Sequence, residues 1–152
     1  MARAPTRALV VGDMPFLAYT VSVEEAVRHA GRFVRDGGAE AVKLEGGRKR
    51  IPVVEAILAA EIPVMGHIGL TPQSVNAMGG YRVQGKDLEA ARALLADARA
   101  LDAAGVFAVV LEGVPDTLAG AITEALSVPP IGIGAGRAVD GQVLVFHDVL
   151  GF

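Results

Sequence analysis

Five ionisable side chains stand at the ends of apolar, β-branched runs in this sequence, and their types are those used in catalysis. They are Asp13, Lys43, Glu45, His67 and Glu112. Side chains just beyond the carboxyl ends of parallel strands converge on one rim of an α/β fold. The sequence therefore predicts one site that contains all five residues.

Asp13 and Glu45 are the predicted metal ligands, because they end consecutive predicted strands. Neighbouring strands lie about 5 Å apart, and two carboxylates that close repel each other unless a cation or a proton lies between them. The sequence has no cysteine and three histidines, so its hard oxygen ligands favour Mg²⁺ over Zn²⁺. The alternative is that Asp13 caps a turn before Pro15.

Lys43 lies two residues before Glu45, so both side chains point to the same side of an extended strand. The run around Lys43 is apolar, and a buried lysine there needs an anionic partner. That partner is either a bound substrate or a neighbouring carboxylate, in which case Lys43 and Glu45 form an ion pair at the mouth of the fold.

Glu112 ends the apolar run Ala-Val-Val-Leu, and loss of water there favours its neutral form and makes it a candidate general base. A structural role, bonded to a backbone amide, is the alternative. His67 lies between two glycines and either donates to a substrate oxygen or satisfies loop carbonyls.

Three other features are interpreted as structural. The glycine-rich segment Gly132–Gly136 lacks the spacing of a dinucleotide fingerprint and is predicted to be a strand-end loop. His147 follows the last predicted strand, where a capping role is favoured over catalysis. His29 lies in the middle of a predicted helix and is expected at the surface.

Short β-branched runs alternate with segments of helical period, which is typical of βα units in a parallel sheet. Helices are predicted from Ser22 to Gly37, from Ile51 to Ala60, from the Thr71-Pro72 cap to Met78, from Asp87 to Ala104 and from Pro115 to Leu126. The predicted strands are Arg7–Gly12, Ala39–Leu44, Ile62–Gly66, Val106–Leu111, Pro130–Gly134 and Gln142–Phe146. They form either an open doubly wound sheet or most of an eight-stranded barrel, in one domain over residues 1–152.

The amino-acid composition limits the classes of partner that the protein is expected to bind. The 152 residues are 52% hydrophobic, and the net charge of −3 provides no basic surface for a phosphate backbone, so no nucleic acid is expected. The apolar run near the N-terminus is too short for a signal sequence or a membrane span. We expect a cytoplasmic protein that does not associate with membranes.

Six phrases of the sequence together resemble ketopantoate hydroxymethyltransferase, in the same order and over nearly the whole chain. They are GDMPF (12–16), VKLEGG (42–47), PVMGHIGLTPQ (63–73), GYRVQGK (80–86), VLEGVP (110–115) and IGIGAG (131–136). The resemblance implies a (β/α)₈ TIM barrel that uses Mg²⁺ and 5,10-methylenetetrahydrofolate. Such an enzyme converts 3-methyl-2-oxobutanoate into ketopantoate, on the route to pantothenate and coenzyme A.

The resemblance also implies residue roles. Asp13 would bind the metal and the substrate, and Glu45 would lie in the metal's shell. Lys43 would contact the substrate, Glu112 would be the base, and His67 would line the pocket.

The chain matches about six βα units, an incomplete barrel that begins at the family's third strand. The expected differences are the loss of an Asp-Ser pair, which the family uses for metal and substrate, and of helices after Phe152. Two open sheet edges favour a homo-oligomer, and little activity is expected from this chain alone. The alternatives are a non-catalytic oligomerising remnant with a weak metal and oxo-acid site, and a related enolate-forming barrel lyase. The phrase GHIGLTPQ argues against the lyase.

Overall fold

The computed structural model describes residues 7–152, so the expectation about the N-terminal segment falls mostly outside the described residues. A six-stranded parallel sheet has its strands in chain order. The strands are β1 (Val11–Asp13), β2 (Ala41–Glu45), β3 (Val64–Gly69), β4 (Ala108–Glu112), β5 (Pro130–Ile133) and β6 (Gly141–Gln142). The predicted alternation of strands and helices is confirmed.

The helices connect these strands and cover the outer face of the sheet. They are α1 (Val23–Arg35), α2 (Ile51–Ala59), α3 (Val75–Met78), α4 (Leu88–Ala104), α5 (Asp116–Ala125) and α6 (Phe146–Leu150). Helix α1 begins where predicted, since the Ser22 hydroxyl accepts the Glu25 N–H at 3.1 Å. Helix α4 is capped by Asp87 and ends at Gly105, whose φ of 95° is left-handed.

Alternation along each strand divides the side chains between the two faces of the sheet. Val42, Leu44 and Leu111 are fully buried and belong to the core that includes the helices. Gly66 lets helix α4 approach β3, because a Cβ there would lie 2.8 Å from Leu101 Cδ1. The main core therefore consists of bulky strand residues on the outer face of the sheet. Gly66 allows the longest helix to pack close to them.

The inner face of the sheet encloses a cavity, and this decides between the two predicted architectures. Residues Leu9 and Val11 at the first edge and Val143–Val145 at the last edge line the same cavity. The sheet must therefore curl so that both edges face one space, as in an incomplete barrel. An open doubly wound sheet would instead carry helices on this face.

The C-terminal segment differs from its prediction. A strand was expected over Gln142–Phe146, whereas β6 is only Gly141–Gln142 and Phe146 begins helix α6. Strand β6 pairs with β5 on one side alone in the described sheet. The apolar run after Gln142 is equally suited to a short helix, so the prediction of a longer strand was wrong.

Candidate active site

All five predicted residues line one cavity of about 850 Å³ on the inner face of the sheet. The polar wall consists of side chains from β1, β2, β3 and the end of β4. The opposite wall is apolar and comes from β4, β5 and the segment after β6; its residues include Val110, Ile131, Ile133, Val143, Leu144 and Val145. The predicted convergence of strand ends is therefore present in the structure.

Asp13 and Lys43 form the first pair, directly opposite each other in the register of β1 and β2. Lys43 Nζ lies 2.9 Å from Asp13 Oδ1, and the lysine side chain is 16% exposed while the aspartate side chain is 59% exposed. Lys43 thus has the anionic carboxylate partner that its burial requires. Asp13 was expected beside Glu45, but Glu45 lies two residues farther along β2, opposite His67.

His67 links the pair to the rest of the site. Its Nδ1 atom lies 3.2 Å from Lys43 Nζ and 3.8 Å from Glu45 Oε1. A protonated lysine can only donate, so Nδ1 acts as the acceptor and the remaining proton of a neutral ring lies on Nε2. Lys43 therefore determines which tautomer of His67 is present.

The Nε2 atom of His67 faces Glu112 at the end of β4. The distance to Glu112 Oε2 is 3.2 Å, but the ring N–H is poorly directed, and Nε2 has no hydrogen-bond partner within residues 7–152. His67 is only 3% exposed. A buried donor without a partner is costly, so Nε2–H is a donor available to a ligand in the cavity.

Glu45 is the most deeply buried carboxylate of the site, with its side chain 4% exposed. Its Oε2 accepts the backbone N–H of Gln73 at 3.0 Å. Burial raises the pKa of Glu45, while the Gln73 amide and the nearby His67 and Lys43 oppose that rise. The site therefore holds a carboxylate whose charge is incompletely compensated by its neighbours.

Two residues of the site were not predicted, Tyr19 and Gln73. The Tyr19 hydroxyl donates to Gln73 Oε1 at 2.9 Å and accepts the Glu45 N–H at 3.3 Å. Burial raises the pKa of Tyr19 to about 12, so the hydroxyl stays protonated at neutral pH. Tyr19 lies in the loop after β1 and Gln73 in the single turn Pro72–Ser74 after β3, where no periodicity marks them. The one signal is that a tyrosine and a glutamine follow strands that carry predicted site residues.

The donor set is of the kind that binds a hard divalent cation, but it is small. Asp13 and Glu45 provide carboxylate oxygens, which Mg²⁺ prefers. Within the described part of the chain, no group of three His, Asp or Glu side chains is arranged to hold a metal ion. The two carboxylates therefore fit part of a Mg²⁺ shell and not a whole one.

The residues interpreted as structural have the following environments. His147 lies on the exposed helix α6 beyond the cavity wall. His29 is half-buried and not simply at the surface, since its Nδ1 lies 2.7 Å from the Ala18 carbonyl oxygen. Gly134 follows β5 directly, as expected for a strand-end loop. Among the helices of residues 7–152, none is long and apolar enough to cross a membrane.

Solved structures with a similar fold support the barrel architecture. A protein from Burkholderia cenocepacia, described as a lyase or mutase, aligns with a TM-score of 0.59 and 14% identity over 89% of this chain and 49% of its own. Muconate cycloisomerase from Pseudomonas fluorescens aligns with a TM-score of 0.52 and 15% identity, over 82% and 31%. At these identities the likeness concerns the fold alone.

Sequence comparisons are more specific. The family model for ketopantoate hydroxymethyltransferase matches residues 1–152. The 3-methyl-2-oxobutanoate hydroxymethyltransferase of Syntrophomonas wolfei is 64% identical over 99% of this chain and 55% of its own length. That of Geotalea uraniireducens is 61% identical over 98% and 56%. This chain spans about half the length of these relatives, and it belongs to the ketopantoate hydroxymethyltransferase family, a family of transferases.

Proposed function

We propose that this chain provides the oxo-acid side of an active site that makes ketopantoate from 3-methyl-2-oxobutanoate. The one-carbon donor is 5,10-methylenetetrahydrofolate. The observation that carries the proposal is that Glu112, His67, Lys43, Asp13 and Glu45 all line one cavity. Family membership supports it, because the relatives that match are named for this reaction.

Glu112 is the proposed base. It takes the proton from C3 of the oxo acid, and the resulting carbon nucleophile forms a C–C bond with the methylene carbon of the folate. Both C–N bonds of the methylene bridge break, and water supplies the hydroxyl group. The proton taken by Glu112 and the second proton of the water go to the two folate nitrogens, and tetrahydrofolate leaves. The side chain of Glu112 is 20% exposed and faces the cavity, so a substrate carbon can reach it.

Lys43 and His67 are the proposed substrate contacts. The Lys43 ammonium group is a charged donor at the polar wall and would bind an anionic substrate oxygen while it remains beside Asp13. His67 Nε2–H lacks a partner in the described residues and would donate to a second substrate oxygen. Two donors at fixed positions would orient the oxo acid with C3 toward Glu112.

Asp13 and Glu45 would hold a Mg²⁺ ion. When bound, the ion supplies Lewis-acid chemistry, which makes the C3 proton more acidic. Asp13 would also contact the substrate. The hard carboxylate oxygens and the incompletely compensated charge of the buried Glu45 support this assignment.

Proton exchange at C3 tests the proposal without the folate. In D₂O with Mg²⁺, the chain should replace the C3 proton of 3-methyl-2-oxobutanoate with deuterium, which NMR detects as loss of the C3–H signal. Glu45→Ala should abolish Mg²⁺-dependent binding of ketopantoate. Exchange no faster than in protein-free buffer would contradict the assignment of Glu112 as a base.

A second candidate is a binding role without turnover. Asp13 is engaged by Lys43, and residues 7–152 contain no three-residue metal group. These observations favour a weak metal and oxo-acid site over complete catalysis by this chain alone. Mg²⁺-dependent ketopantoate binding with no C3 exchange and no product in the full transferase assay would establish this second role.

We also propose that the protein is a homo-oligomer. Strands β1 and β6 are the two edges of the described sheet, and apolar side chains beyond β6, including Phe146, Val149 and Leu150, are more than half exposed. Exposed edges and apolar patches favour association. Sedimentation equilibrium should give a mass that is a multiple of the chain mass, and a monomer at all concentrations would contradict this.

A further inference from the structure

The side chain of Gln73 joins the two loops that follow β1 and β3. Its Nε2 donates to the Met14 carbonyl oxygen at 2.8 Å, and its Oε1 accepts from the Tyr19 hydroxyl at 2.9 Å. Met14 follows Asp13 directly in the chain and is fully buried. One glutamine therefore fixes the backbone next to the first predicted metal ligand.

The same pair of residues also holds the second predicted ligand. The backbone N–H of Gln73 donates to Glu45 Oε2 at 3.0 Å, and the backbone N–H of Glu45 donates to the Tyr19 hydroxyl at 3.3 Å. Glu45 is thus held at its carboxylate by Gln73 and at its backbone by Tyr19. Asp13 and Glu45 are on different strands, yet the same two residues, Gln73 and Tyr19, hold the chain at both places.

The directions of these bonds leave only one arrangement. The Met14 carbonyl can only accept, so the NH₂ group of Gln73 must face it and Oε1 must face Tyr19. The Tyr19 hydroxyl then has to donate to Oε1, which leaves its lone pair for the Glu45 N–H. Tyr19 is 2% exposed, so the loss of any one of these hydrogen bonds would leave a buried polar group unpaired.

The local fold around Gln73 does not require these side-chain hydrogen bonds. Gln73 lies in the single turn Pro72–Ser74, which has no side-chain cap, and it contributes to the cavity wall. An apolar residue of the same length would continue the turn equally well. The side-chain polar groups of Gln73 are accounted for by the Met14 carbonyl and by the Tyr19 hydroxyl, which in turn accepts the Glu45 N–H.

We infer that Gln73 and Tyr19 are positioning residues that fix Asp13 and Glu45 relative to each other as ligands of a shared cation. This inference rests on the proposed function, because it assumes that those two carboxylates bind Mg²⁺. The amide and hydroxyl would act as outer partners of the ligands, a class of contact whose loss weakens metal affinity about 10- to 100-fold.

Isothermal titration of the chain with Mg²⁺ tests the inference. Gln73→Met keeps the length of the side chain and removes both of its hydrogen bonds, and Tyr19→Phe removes only the hydroxyl. The matched control is Gln142→Met, because Gln142 Nε2 also donates to a backbone carbonyl, that of Gly136, at 2.8 Å. Tyr81→Phe is the control for the tyrosine, since Tyr81 is 74% exposed.

We expect Gln73→Met to weaken Mg²⁺ binding about 10- to 100-fold and the two controls to bind like the wild type. The double variant Gln73→Met/Tyr19→Phe should lose less affinity than the sum of the two single losses, because both changes remove the Tyr19–Gln73 hydrogen bond. If Gln73→Met does not fold, the same Mg²⁺ titration of Tyr19→Phe tests the inference instead.

Three contradicting outcomes are distinguishable. A wild-type chain that binds Mg²⁺ and a Gln73→Met variant that binds it equally well would overturn the inference alone. A wild-type chain that binds no Mg²⁺ would overturn the proposed cation site and, with it, the inference. A Gln142→Met control that loses as much affinity as Gln73→Met would show a general effect and would also overturn it.

Discussion

Gly69 ends β3 and lies opposite the proposed base, Glu112, in the register of β3 and β4. Its φ is 94°, and an added Cβ would collide with the carbonyl oxygen of Glu112 and lie 2.9 Å from Val114 Cγ1. The neighbouring Leu70 N–H donates to that same carbonyl at 2.7 Å. Gly69→Ala should therefore strain the backbone and push β3 and β4 apart where Glu112 is held.

The two costs can be estimated separately. A left-handed φ in a residue with a side chain costs roughly 1–2 kcal/mol, and overpacking of a close contact costs roughly 1–3 kcal/mol. Gly79→Ala is the matched control, since Gly79 has a φ of 73° but an added Cβ there would meet nothing within 4 Å. We expect about 2–5 kcal/mol of destabilisation for Gly69→Ala and about 1–2 kcal/mol for Gly79→Ala.

Urea unfolding of the two variants and the wild type measures both values. The difference between the variants isolates the contacts of the added methyl group with Glu112 and Val114. A displaced Glu112 should also slow C3 proton exchange in Gly69→Ala but not in Gly79→Ala. Equal destabilisation of the two variants would refute the reasoning, because it would mean that β3 and β4 tolerate a methyl group at Gly69.

Three further predictions concern the ionisable residues. Glu112→Gln should slow C3 proton exchange of 3-methyl-2-oxobutanoate at least about 100-fold, and NMR exchange rates near the wild-type value would contradict its role. Lys43→Met removes a charged hydrogen bond worth about 1.5–3 kcal/mol, so calorimetry should show about 10- to 100-fold weaker oxo-acid binding; unchanged affinity would contradict the contact. Burial raises the pKa of Glu45 above 4.5, so its stabilising contribution is present below pH 4.5 and is lost as pH rises through the raised value. Glu45→Gln stays neutral, and without Mg²⁺ its free energy of unfolding should not show this loss; parallel pH profiles in urea unfolding would refute it.

The strand ends were predictable because chemistry and periodicity coincide there. A buried run that ends in Glu112 or His67 marks both a strand and a cavity wall, and the structure places these two residues on adjacent strands with side chains in contact. The parallel α/β fold followed from the same alternation. Local sequence patterns suffice for such features because a parallel strand is buried on both faces.

Register could not be predicted, and it changed the partners within the site. Consecutive strands suggested that Asp13 and Glu45 are neighbours, whereas a two-residue offset places Lys43 beside Asp13. Offsets between parallel strands depend on how helices pack behind the sheet, which no single strand encodes. Tyr19 and Gln73 were missed for a related reason, because their roles depend on the meeting of two loops that are distant in sequence.

The cavity has chemically different ends, and this affects how a ligand can enter it. Lys43 and His67 stand on one side, while Val110, Ile131 and Ile133 stand on the other. A small molecule with a carboxylate head and a branched alkyl tail satisfies both sides in one direction only, since the reverse placement would strip water from the carboxylate beside aliphatic carbon. Discrimination between the two ends of such a molecule is therefore built into the strand order itself, and molecules with a charge at each end should be rejected.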